Sequence, residues 1–137
     1  MHQVAAIQMA SGPNVAANLI EAERLIMIAV KEGAKLVVLP ENFAIMGMSE
    51  QDKIKIREQP GRGHIQGFLA DQAAKHKIWL VGGTIPLAAT DPNKVRAACL
   101  VYNDKGKQVA RYDKIHMFDV EIVDSGERYI ESQTIES

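Results

Sequence analysis

The sequence predicts an α/β fold built on a partly parallel sheet with an antiparallel hairpin at one side. Three stretches carry that expectation. Residues 3–39 read strand, helix, strand, and a crossover of that kind makes its two strands parallel. A second helical pattern leads into a third apolar strand over residues 64–85. Asn103-Asp104-Lys105-Gly106 then separates two strand-like runs, which is a strong hairpin signal.

Each element has a local reason. Gln3 to Met9 reads as the first strand. Ser11-Gly12-Pro13-Asn14 is turn chemistry, with Asn14 placed to cap a helix. Val15, Leu19, Ala22, Ile26, Ala29 and Val30 recur at helical spacing, and Gly33 is suited to stop the helix in a left-handed conformation. Leu36 to Leu39 is a short apolar, β-branched run that suits a strand buried on both faces. The pattern weakens from Ala44 to Gly63 and ends in the loop Pro60-Gly61-Arg62-Gly63. Ile65, Phe68, Leu69 and Ala73 mark a helix over 64–76. Ile78 to Val81 is a strand interrupted by Gly82-Gly83, a pair that signals a bulge or a close backbone approach, and it resumes as Thr84-Ile85. Val95 to Tyr102 and Gln108 to Asp113 form the hairpin.

With 137 residues and 47% apolar content, one packed domain is expected. Sixteen basic and seventeen acidic residues leave a formal charge of -1, which offers no general attraction to nucleic acid or anionic membranes. The basic run Lys53-Ile54-Lys55-Ile56-Arg57 is flanked by Asp52 and Glu58 and reads as a solvated face. The start has no signal-peptide pattern, and no apolar run approaches membrane-spanning length. With Cys99 as the single cysteine, these features fit a soluble cytoplasmic protein without an internal disulfide or a cysteine-based zinc site. Met9, Met46, Met48 and Met117 read as packing residues.

Two positions invite a chemical reading. Pro40 ends the second strand, and Glu41 follows on its rim. A partly dry, rigidly held carboxylate there suits a proton acceptor, although a solvated glutamate at a strand end fits the same pattern. Lys114 sits where the hairpin ends, and by itself it reads equally as a surface lysine.

Taken together, Leu39-Pro40-Glu41-Asn42-Phe43 and Tyr112-Asp113-Lys114-Ile115-His116-Met117-Phe118-Asp119 resemble the nitrilase superfamily, the carbon–nitrogen hydrolases. The likeness runs from residue 3 to about residue 133 and takes in Gly33-Ala34, the Gly-Gly strand and the hairpin turn. Within that family it looks most like the branch of small ω-amidases and nitrilase-like proteins. The resemblance implies the N-terminal portion of an α-β-β-α sandwich, so that residues 1–137 form a single partial domain lacking its C-terminal part. It implies hydrolysis of a small linear amide, such as a dicarboxylic acid monoamide, by thiol acyl transfer. Glu41 matches the family's general base and Lys114 the oxyanion-stabilising lysine. Glu131, in Tyr129-Ile130-Glu131-Ser132, matches the second glutamate that positions substrate and lysine. No metal or organic cofactor is implied.

The family's cysteine follows the lysine at a strand-to-turn bend. The single cysteine here precedes Lys114 and lies in an apolar strand, so Cys99 reads as core. His116 is expected in a structural hydrogen-bond role. The chain alone is therefore expected to be inactive, with a non-catalytic remnant or interaction module as the alternative. Its expected partners are a small amide once the site is completed, and a further copy of itself or a missing C-terminal half. The strands at 36–39 and 97–102 are apolar on both faces, while the helices at 15–32 and 64–76 can cover only one. An uncovered face of that kind predicts instability or self-association.

Overall fold

The computed structural model describes residues 2–137. Strand β1 (Gln3–Ala6) leads through helix α1 (Val15–Lys31) into β2 (Ala34–Val38), and β1 and β2 pair in parallel. The helix begins where Asn14 Oδ1 accepts the Ala17 N–H at 3.0 Å, and it ends at Gly33 with φ +97°. A short helix α2 (Gln51–Lys55) occupies the weakly patterned region, followed by α3 (His64–His76). The Glu58 carboxylate caps α3 by accepting the Ile65 and Gln66 N–H groups at 2.6 and 3.0 Å. Strands β3 (Trp79–Val81), β4 (Ile85–Ala88), β5 (Val95–Tyr102) and β6 (Gln108–Asp113) complete the main sheet.

The register explains the glycine pair. Val81 and Ala110 both pair with Val101, and Ile85 and Asp113 both pair with Ala98. β3 and β4 therefore lie on the same side of β5, opposite β6, as two halves of one interrupted strand. The break is where Gly82 and Gly83 fall, as the sequence suggests. The lateral order is β1, β2, β3 with β4, β5, β6.

Helices α1 and α3 cover one face of this sheet. Leu19, Ala22, Ile26, Leu69 and Ala73 pack on Val37, Leu80, Ala98, Leu100 and Tyr102 in the main core. Alternation puts Val4, Leu36, Val38, Trp79, Val81, Cys99, Val101 and Tyr112 on the other face. There Val4, Trp79 and Tyr112 are 58, 46 and 60% exposed, so this apolar face is open. Cys99 is half-buried on the open face and not in the core assigned to it from sequence. Burial pushes its thiol pKa up.

Beyond β6 a second hairpin, β7 (Asp119–Ile122) with β8 (Glu127–Ile130), turns at Gly126 with φ +69° and ends in a 3₁₀ turn at Glu131–Gln133. Val95, Ala97 and Ile135 form a small second cluster, which Met117 packs against, as Met9 does against the main core. Met46 and Met48 depart from the expected packing role, at 51 and 88% exposed. His116 is exposed, at odds with the structural role expected of it. Among the described residues no helix is long and apolar enough to cross a membrane.

Candidate active site

The residues after β2 cannot continue as a strand, because Pro40 has no N–H to donate. The chain turns instead, and the turn is held from two sides. Asn42 adopts a left-handed φ of +54°, and its N–H donates to Thr84 Oγ1 at 2.9 Å. Gly83, φ +58°, lies so close to the Pro40 carbonyl that a side chain there would overlap it. On the other side Asn18, buried on α1, donates from Nδ2 to the Ala44 and Gly12 carbonyls at 2.9 and 2.8 Å. Its Oδ1 accepts the Gly12 N–H at 3.0 Å. Phe43 is fully buried, and its carbonyl accepts the Ser11 hydroxyl at 2.7 Å. Glu41 thus rises from a clamped turn.

Lys114 arrives from the far side of the sheet. Its backbone N–H donates to the Ala97 carbonyl at 3.0 Å, extending the β5–β6 ladder by one residue. Its ammonium lies 2.9 Å from Glu41 Oε1 and reaches Glu131 Oε1 and Oε2 at 3.1 and 2.9 Å. Three sequence-predicted residues, separated by 73 and 17 positions, therefore meet at one ammonium. Glu131 is held in turn by the Phe118 N–H, which donates to Oε2 at 2.7 Å.

The electrostatics are unequal across the trio. The side chains of Glu131, Lys114 and Glu41 are 12, 25 and 51% exposed. Burial is the largest influence on Lys114 and by itself would lower its pKa. Hydrogen bonds and attraction from Glu41 and Glu131 together outweigh it, so the net shift is upward and the lysine stays a cation. Glu41 is wetter than a position on a strand rim suggested, because it stands past the sheet in a turn.

The trio opens into a cavity of about 300 Å³ lined also by Asn42, Met46, Ser49, Glu50, Lys53, Phe118 and Tyr129. A fixed ammonium can stabilise an oxyanion, and the solvent-reached carboxylate beside it can accept a proton. Cys99 does not line this cavity. Among the described residues, no group of three His, Cys, Asp or Glu side chains is placed to hold a metal ion. Sequence reasoning missed Asn18, Thr84 and Lys53. The last was read as part of a solvated basic face, yet it is only 8% exposed.

Comparison with known proteins bears on the family of the chain. The carbon-nitrogen hydrolase family pattern matches residues 3–137. The deaminated glutathione amidase of a Synechocystis strain is 39% identical over 132 residues, covering 96% of this chain and 47% of that protein. The omega-amidase NIT3 of Saccharomyces cerevisiae is 36% identical over 97% of this chain and 47% of its own length. The crystal structure of yeast Nit3, a member of branch 10 of the nitrilase superfamily, superimposes with a TM-score of 0.73 at 34% identity, over 82% of this chain and 44% of that one. The Caenorhabditis elegans NitFhit structure gives 0.83 at 26% identity, over 99% of this chain and 33% of that chain. The chain spans about half the length of the curated relatives it matches. Two motifs in order, a glutamate–lysine–glutamate site that the fold assembles, and these matches place the chain in the carbon–nitrogen hydrolase family of the nitrilase superfamily.

Proposed function

We propose that residues 1–137 carry the proton-transfer and oxyanion-binding part of an amidase site acting on small linear amides. The observation that carries this reading is the Lys114 ammonium held between Glu41 and Glu131 at 2.9–3.1 Å. Its relatives named as amidases support the reaction class.

In the proposed reaction a cysteine thiol gives its proton to Glu41, and the thiolate attacks the amide carbonyl carbon. Negative charge gathers on the carbonyl oxygen beside the Lys114 ammonium, which Glu131 keeps in place. A fixed donor at such an oxygen is worth about 10²–10³ in rate. The intermediate collapses to a thioester as Glu41 returns the proton to the leaving nitrogen, releasing ammonia. Water, deprotonated by Glu41, then attacks the thioester, and the proton returns to sulfur as the acid leaves.

Cys99 does not supply this thiol. It lies on the open sheet face, away from the cavity, with its pKa raised by burial. The nucleophile is supplied by a segment outside residues 1–137, and the chain by itself does not turn over. The open apolar face favours one further reading, an interaction module that pairs with a second half or a related chain through that face.

A chimaera tests the assignment. Residues 1–137 would replace the matching segment of a cysteine-bearing relative, and ammonia release from succinamic acid would be measured. The chimaera is expected to be active, and Glu41→Gln and Lys114→Met each to reduce kcat at least about 100-fold. Undiminished turnover in Glu41→Gln would remove the general base from the scheme.

A further inference from the structure

Glu131 steadies Lys114, so the site depends on what steadies Glu131. It is the first residue of the short 3₁₀ turn that follows β8, and such turns have poorer hydrogen-bond geometry than an α-helix. The β7–β8 ladder stops one residue before it, at the pair Asp119 and Ile130. Beyond that pair the Glu131 N–H reaches the Phe118 carbonyl only at 3.3 Å, past the ordinary range for such a bond. The Glu131 carbonyl accepts the Thr134 and Ile135 N–H groups at 3.0 and 2.9 Å. These bonds close the turn on itself without tying it to β7.

Asp119 makes that tie. Its Oδ1 accepts the N–H of Ser132, the residue next to Glu131, at 3.0 Å. Hydrogen bonds from the Ser132 backbone and side chain hold the Asp119 carboxyl below the usual carboxylate range, so the acceptor is ionised at neutral pH and the bond is charge-assisted. The preceding residue grips the same glutamate by its carboxylate, since the Phe118 N–H donates to Glu131 Oε2 at 2.7 Å. Two adjacent residues thus hold Glu131, one at the side chain and one through the next peptide. The Ser132 carbonyl accepts Lys94 Nζ at 2.9 Å, so Ser132 is held at both its N–H and its carbonyl. Asp119 does not line the cavity. Nor is it among the charges that act on Lys114, which are those of Glu41 and Glu131. Whatever Asp119 does to the ammonium passes through Glu131.

We propose that Asp119 is a positioning residue for Glu131, fixing through the Ser132 peptide where that carboxylate meets the Lys114 ammonium. This rests on the amidase reading of the site, in which the ammonium must stay in place to receive an oxyanion. Asp119 touches neither the substrate nor Lys114, and its work is done by its acceptor oxygen and not by its charge.

NMR on the full 137-residue chain tests this without turnover. Two signals are read in the wild type, Asp119→Ala, Asp119→Asn and Glu131→Gln: the titration of the Lys114 ammonium and the hydrogen exchange of the Phe118 amide. Asp119→Ala should lower the Lys114 pKa, in the direction Glu131→Gln moves it. It should also speed Phe118 exchange roughly tenfold, the loss of one hydrogen bond to a charged group. Asp119→Asn keeps an acceptor oxygen and loses the charge, so it should preserve both signals. A merely structural role would lower the melting temperature of Asp119→Ala and leave the Lys114 pKa where it was, which would overturn the assignment. An equal fall in Asp119→Asn would overturn it too, because the effect would then follow charge. Should Asp119→Ala fail to fold, the wild type still decides. A scalar coupling across the hydrogen bond is expected between the Ser132 amide nitrogen and the Asp119 carboxyl carbon, and its absence would sink the proposal. These results would reject Asp119 alone and leave the trio intact. If Glu131→Gln itself leaves the Lys114 pKa unmoved, the glutamate–lysine contact fails, and the amidase reading falls with it.

Discussion

Gly83→Ala is the sharpest test of how this fold holds its glutamate. At φ +58° a non-glycine residue pays about 1 kcal/mol for the left-handed conformation. A Cβ there would also overlap the Pro40 carbonyl oxygen and lie 2.8 Å from its carbon and 3.0 Å from the Leu39 oxygen. All of these are backbone atoms, so no side chain can swing away, and relief requires moving the turn. Overpacking of this kind adds about 1–3 kcal/mol, for a total of about 3 kcal/mol. In a domain of this size that lowers Tm by roughly 10 °C. Gly61→Ala is the matched control, because Gly61 has φ +79° but nothing within 4 Å of an added Cβ. It should show the conformational cost alone. Thermal and urea denaturation of both variants gives the difference, and NMR titration of the Lys114 ammonium shows whether Glu41 has moved away. If Gly83→Ala costs no more than Gly61→Ala and Lys114 keeps its raised pKa, the contact with Pro40 does not hold the Glu41 turn.

Three further outcomes are expected. Asn18→Ala removes three hydrogen bonds and leaves the Ala44 carbonyl without its side-chain donor. It should cost about 2–3 kcal/mol in urea denaturation, and a loss below about 0.5 kcal/mol would mean that the loop is held elsewhere. Lys114 has a folded-state pKa raised above its ordinary 10.5, so its stabilising contribution is full below that pH and is lost as pH rises through the folded value. Melting curves from pH 9 upward should show this decline in the wild type and a shallower one in Lys114→Met. Sedimentation should reveal concentration-dependent association through the open sheet face, reduced by Trp79→Glu, since Trp79 is 46% exposed there. A monodisperse, cooperatively melting wild-type monomer would refute it.

Much of the main sheet was legible because its boundaries are local chemistry. Asn14, Gly33 and the Asn103–Gly106 turn mark their ends by capping and backbone preference, and the helix over 64–76 follows from its apolar spacing. The β7–β8 hairpin was overlooked, although Val120 and Ile122 alternate with charges and Ser125-Gly126 supplies the turn. Its strands are mostly exposed, so no buried run announced them. Asn18 could have been suspected, as a polar residue three positions from Val15 and four from Ala22 on the apolar stripe. Lys53 could not, because nothing in the run Lys53-Ile54-Lys55-Ile56-Arg57 distinguishes the buried Lys53 from the exposed Lys55. Nor does spacing alone join Glu41 to Lys114. Their pairing came from resemblance and is now tied to a contact.

The topology shows why that contact needs the glycine pair. β2 runs parallel to β3, β3 antiparallel to β5, and β5 antiparallel to β6. β2 and β6 therefore point the same way, and residues just past their C-terminal ends emerge at the same edge of the sheet. They are still three strand positions apart, or about 14 Å at ordinary spacing, too far for two side chains rising straight from their strands to meet at 2.9 Å. The Pro40–Asn42 turn closes part of the gap by leaning over the neighbouring strand. It can do so only where that strand is interrupted and lacks a side chain, which is at Gly83, and Thr84 then fixes the new position through the Asn42 N–H. Lys114 spans the remainder with its long side chain. The interruption between β3 and β4 is thus the feature that turns two distant strand ends into one site, and a chain with an unbroken strand there would keep both residues and lose their contact.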